Sequence, residues 1–218
     1  MKMMTNLFST FDPTTGAMSM NWASMMLILI LPKKFWVANN MNMIIIMKML
    51  NIMKKETEAL TKIKGLSLMT NAIMVMIMMI NLMGLLPYIF TPSSHLTFSM
   101  SLSVSLWLSI MIYGWTNKTD KMFKHLVPMS TPMILMPFMV MIETISNFMR
   151  PGSLAVRLTA NMIAGHMLMS LLGESQKSLM LLIMLIIIYM MLMMFEFAVA
   201  IIQAYVFMTL SSLYSSEV

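Results

Sequence analysis

Residues 65–117 form a run of 53 consecutive positions without one Lys, Arg, Asp or Glu. A soluble fold buries one such helix at most, because its remaining surface needs charge to stay in solution. A bilayer-spanning helix needs about 20 mostly apolar residues, so this run holds two spans and the turn between them. A second uncharged run covers 178–195. Over the whole chain 59% of residues are hydrophobic and 10% charged, against roughly 25% charged in an ordinary soluble domain. The chain therefore reads as an all-α integral membrane protein forming one membrane domain over 1–218.

Composition removes several classes of function. With no Cys, neither disulfide nor thiolate chemistry is open to it. The three His residues, His95, His125 and His166, are too far apart for two to share a helical turn, so no metal site is expected. No cofactor is expected either. The net charge of +6 is concentrated in short connections and reads as topology. Lys48, Lys54, Lys55, Lys62 and Lys64 oppose only Glu56 and Glu58, and Lys118, Lys121 and Lys124 accompany Asp120. Two spans separate these connections, so both fall on one non-translocated side. No nucleic-acid module is recognisable. The 37 Met residues spread through every apolar stretch and serve as adaptable apolar filling. Residues 1–15 contain neither an Arg-rich presequence nor a signal-peptide pattern, so synthesis inside an organelle is expected.

Along the chain, 18–38 is expected as a first membrane helix, with Trp22 and Trp36 at the two interfaces. Residues 41–62 mix apolar and charged positions, as in an amphipathic segment at the basic surface or an exposed loop. Residues 66–86 and 96–115 make a membrane hairpin. Two long arms follow, at 132–174 and 178–214, the first interrupted at Arg150, Pro151 and Gly152. About 35 residues of helix measure roughly 50 Å, against a hydrocarbon core of about 30 Å. The last arm therefore either breaks or lies strongly tilted. About five membrane helices result.

Charges inside those arms mark the functional region, since an ionisable group in lipid needs a partner, a hydrated cavity or a mechanistic role. Arg157 and Glu196 are the two most prominent. On a helix, Asn161 lies about 40° from Arg157 and one turn on, whereas His166 falls near the opposite face. Glu143 shares the Arg157 phase only if Pro151 and Gly152 do not swivel the helix. Glu196 and Gln203 lie seven residues apart, within about 20° of one face, and Tyr205 is a candidate to join them along a hydrated track. Ala155, Ala160, Ala164, Gly165, Ala198, Ala200 and Ala204 permit close helix approach. From the residues alone, Arg157 is either a static charge paired with a carboxylate or part of an ion path. Glu143 and His166 are either relay groups or satisfied packing residues. Glu174 and Lys177 read as surface residues, Arg150 as an interfacial one, and His95 and His125 have no catalytic role.

The run Leu154-Ala155-Val156-Arg157-Leu158-Thr159-Ala160-Asn161-Met162-Ile163-Ala164-Gly165-His166 resembles subunit a of the F-type ATP synthases. So do Ile142-Glu143-Thr144-Ile145-Ser146, the stretch from Glu196 to Phe207, Ser212-Leu213-Tyr214, the motif from Asn81 to Pro87, and Asn6-Leu7-Phe8. The Met content is arthropod-like. The resemblance implies a stator proton channel in the mitochondrial inner membrane. Two offset half-channels would couple proton flow to rotation of a c-ring, with no nucleotide site on this chain. It also implies that the last two helices lie steeply tilted against the rotor ring. Arg157 would face the ring, with Asn161 and Gln203 near it. His166 and Glu196, and Tyr205 with them, would line the half-channel open to the intermembrane space, and Glu143 the matrix half-channel. Implied partners are the c-ring, the peripheral stalk, other small membrane subunits and lipid. Both termini are expected in the intermembrane space. The rival reading is a proton-translocating membrane subunit of a respiratory complex, which typically uses Lys and Glu midway along discontinuous helices.

Overall fold

The computed structural model describes residues 11–14, 19–30, 40–61, 65–86, 89–127, 132–174 and 179–217. Among them are six α-helices: α1 (Met41–Leu60), α2 (Leu66–Gly84), α3 (Leu96–Asn117), α4 (Thr119–Leu126), α5 (Met136–Glu174) and α6 (Leu179–Glu217). Four are long and apolar enough to cross a membrane: α2, α3, α5 and α6. Of the expected first membrane helix, 20–30 is wound as a 3-10 helix, and 18 and 31–38 lie outside the described residues. Asn6-Leu7-Phe8, Lys62, Lys64, Pro87 and Lys177 lie outside them too.

Helix α2 begins at Gly65, whose φ of 91° is a left-handed conformation open to glycine at little cost. In α3 the hydroxyls of Ser99, Ser101, Ser103, Ser105 and Ser109 each donate to the carbonyl three residues back, at 2.7–3.3 Å. The helix absorbs its own polar side chains. Helix α1 covers the segment expected to be amphipathic, and it docks on α2 by its C-terminal half. Thr57 is fully buried there, and its Oγ1 accepts a hydrogen bond from Asn71 Nδ2 of α2 at 3.3 Å.

Helices α5 and α6 have 39 residues each, or about 58 Å at 1.5 Å per residue. That is about twice the hydrocarbon thickness, so both lie strongly tilted. The interruption expected at Arg150-Pro151-Gly152 does not occur, and α5 runs unbroken through Pro151. Proline removes one ladder donor, and Ser153 Oγ donates to the Arg150 carbonyl at 3.0 Å just beyond. The missing N–H is the one that would reach the Asn147 carbonyl four residues back, and the helix continues without it.

Helix α3 packs against α5, and α2 against α6. The four meet around Met74, Ile77, Leu106, Leu154, Leu158, Phe207 and Met208. Lipid is as apolar as these side chains, so close packing holds such a bundle together, and small residues make it possible. Ala155, Ala200 and Ala204 are buried at the seams as expected. Ala160, Ala164 and Ala198 are exposed.

The C-terminus requires a correction. Ser215, Ser216 and Glu217 line one cavity with Lys118, Lys121 and Lys124, which puts the end of α6 beside the basic connection. The two expectations, basic connections on the matrix side and C-terminus in the intermembrane space, are therefore incompatible.

Candidate proton-path site

Arg157 lies on an uncovered face of α5. Val156, Arg157, Ala160, Asn161 and Ala164 are all exposed, a stripe repeating at three and four residues as helical geometry dictates. Among the described residues the Arg157 guanidinium makes no ion pair. The reading of Arg157 as a static charge paired with a carboxylate finds no such carboxylate there.

One turn along, Asn161 Nδ2 donates to Gln203 Oε1 of α6 at 2.9 Å. Gln203 is buried, so this bond satisfies a polar group that would otherwise cost about 1–3 kcal/mol to bury alone. It also pins the register of α6 against α5 beside the arginine.

Glu196 is buried on the same face of α6 as Gln203, as their seven-residue spacing predicts. It sits against Gly165 of α5. A Cβ there would come within 2.8 Å of the Glu196 carboxyl carbon and of Oε1, so only glycine allows this approach without displacing the carboxylate. Glu196 and His166 line one cavity of about 250 Å³, together with Asn161, Gly165 and Leu85. Glu196 Oε1 and His166 Nε2 are buried with no hydrogen-bond partner among the described residues. The cavity is mostly apolar, with Asn161, His166 and Glu196 as its polar groups, and its size leaves room for several waters to reach them. Arg157 does not line it, in keeping with the opposite-face placement of His166.

Glu143 lines a second cavity of about 260 Å³ toward the other end of α5, with Asn147, Arg150, His125, Tyr214 and Glu217. Arg150 is ion-paired with Glu217, and its guanidinium lies over the Tyr214 ring, 5.1 Å from the centroid. Arg150, expected only at an interface, and His125, expected to have no role, both line this cavity. Pairing across 67 residues depends on the α5–α6 register, which no local pattern reveals.

Tyr205 departs from its expected grouping. It is exposed, and its hydroxyl donates to Glu56 Oε2 of α1 at 3.3 Å. Nine residues from Glu196 is half a turn out of phase, so the two side chains leave α6 on opposite faces.

The chain matches the ATP synthase A chain family over residues 6–216. It is 52% identical over 225 residues to ATP synthase subunit a of Aedes aegypti, covering 99% of this chain and 100% of that one. It is 50% identical over 225 residues to the subunit of Anopheles gambiae and 52% over 224 residues to that of Locusta migratoria, with the same coverage. These matches run through every helix that builds the site: the chain belongs to the ATP synthase A chain family.

Proposed function

We propose that Arg157 separates two half-channels, one built around His166 and Glu196 and the other around Glu143. Membership of the family makes the chain the proton-conducting stator subunit of an F-type ATP synthase in the mitochondrial inner membrane. It couples proton flow to rotation of the c-ring and carries no nucleotide-converting site of its own. The observation that carries the assignment of roles is the exposed Arg157, without an ion pair among the described residues, on a face of small residues. Ala160 and Ala164 leave room for a rotor helix to pass close to the guanidinium.

Arginine suits this position because a guanidinium keeps its charge where an ammonium can lose its proton. Arg157 draws each arriving ring carboxylate into its deprotonated form and does not itself relay a proton. Protons load the ring from one cavity and leave by the other, and the charge between them blocks a direct leak. Asn161 and Gln203 hold the two helices in register beside it.

The His166–Glu196 cavity opens toward the intermembrane space and the Glu143 cavity toward the matrix. The second direction follows from the basic connection beside that cavity and the positive-inside tendency. The N-terminus then lies in the intermembrane space, 18–38 is a fifth span, and the C-terminus lies in the matrix. The c-ring and the peripheral stalk are partners by family, and other small membrane subunits and lipid cover the remaining apolar faces.

The decisive experiment is proton-driven ATP synthesis by the reconstituted complex carrying Arg157→Ala. Coupled synthesis is expected to vanish while the complex still assembles. Full coupled synthesis in that variant would sink the assignment.

A further inference from the structure

His95 had no role in the sequence reading, yet it joins three parts of the molecule. It sits at the N-terminal end of α3, and its Nε2–H donates to the Phe11 carbonyl at 3.0 Å. Its ring packs against Phe90 and Trp22, with centroids 5.2 and 5.4 Å away. The N-terminal segment is thus held twice, through the Phe11 backbone and through Trp22. Asn21 Nδ2 adds a bond to the Asp12 carbonyl at 3.3 Å.

What this clasp holds in place is the Phe11 ring. It stands edge-on to His166, with centroids 6.0 Å apart and planes at 88°. That geometry is favourable for two aromatic rings. Yet His166 is the cavity residue whose Nε2 is buried without a partner among the described residues. A hydrocarbon ring there contributes no hydrogen bond, but it does bar water from that side of the imidazole.

We propose that Phe11, fastened by His95, is an apolar gate that controls access to His166 from the N-terminal side. Phe11 and His95 are positioning residues: neither exchanges a proton with the ring, and both set how readily His166 is reached. The proposal rests on reading the His166–Glu196 cavity as a half-channel.

The test uses the intact complex in liposomes and an imidazole-acylating reagent, with modification of His166 followed by peptide mass spectrometry. Phe11→Ala should raise acylation of His166 several-fold. It should also raise the rate of ATP synthesis several-fold at low proton concentration on the loading side. His95→Leu should act in the same direction, whereas His95→Gln, which keeps an N–H donor at similar reach, should stay near the parent. Parental acylation of His166 in Phe11→Ala overturns the gate. If that variant does not assemble, parental acylation in His95→Leu overturns it. Equal increases in His95→Leu and His95→Gln overturn the clasp. Raised acylation with no change in synthesis establishes the cover but removes the half-channel reading beneath it.

Discussion

The two cavities along α5 have nearly equal volumes, about 250 and 260 Å³, and opposite electrostatic economies. Around His166 and Glu196 the ionisable groups are buried and unpaired among the described residues. Around Glu143 the neighbouring charges are satisfied, Arg150 by Glu217 and by the Tyr214 ring. The first arrangement suits groups that must gain and lose a proton, because no fixed partner locks one state. The second also anchors the two long helices through Arg150 and Glu217, with Glu143 as the carboxylate there without a described partner. On the proposed path both cavities pass protons, and the Glu143 cavity carries helix anchoring beside that task.

The contrast breaks first at Gly165. Gly165→Ala puts a methyl within 2.8 Å of the Glu196 carboxyl, and the flexible side chain gives way before the backbone does. Ångström-scale misplacement of a reacting group costs up to about 10²-fold. Proton-driven synthesis is expected to fall by about tenfold or more in an assembled complex, measured beside ATP hydrolysis by the detached catalytic sector as control. Replacing Gln203 by Leu leaves Asn161 without its acceptor across the helix pair. A destabilisation of about 0.5–1.5 kcal/mol follows, because the group left behind is exposed, read as a lower thermal midpoint of the purified complex and a several-fold slower synthesis. The smallest effect belongs to the other cavity. Arg150→Met removes a partly exposed ion pair, and such pairs contribute about 0–1 kcal/mol. Synthesis should stay within a factor of about two. A loss as large as that from Gly165→Ala would show that Arg150 belongs to the proton path.

Local periodicity made much of this legible in advance. An uncharged run of 53 residues dictates two apolar helices, α2 and α3, but not a packed hairpin, since α2 packs on α6 and α3 on α5. The spacing of seven between Glu196 and Gln203 dictates their common buried face, and the spacing of nine separates His166 from Arg157. The same arithmetic would have turned Tyr205 away from Glu196, half a turn off, and sent it outward to Glu56. What periodicity cannot supply is register between helices distant in sequence. The Asn161–Gln203 and Arg150–Glu217 pairs depend on how far α6 slides along α5, which no pattern within either helix specifies. Pro151 misled for another reason: proline breaks helices in water, but within a packed bundle neighbouring groups compensate for the lost donor.

The serines of α3 bear on how this chain reaches its membrane. Each hydroxyl donates to a carbonyl of its own helix, so the segment can leave water carrying its hydrogen bonds with it. A translocation machine meets a helix more greasy than its letters suggest. These hydroxyls then need no neighbouring span to satisfy them.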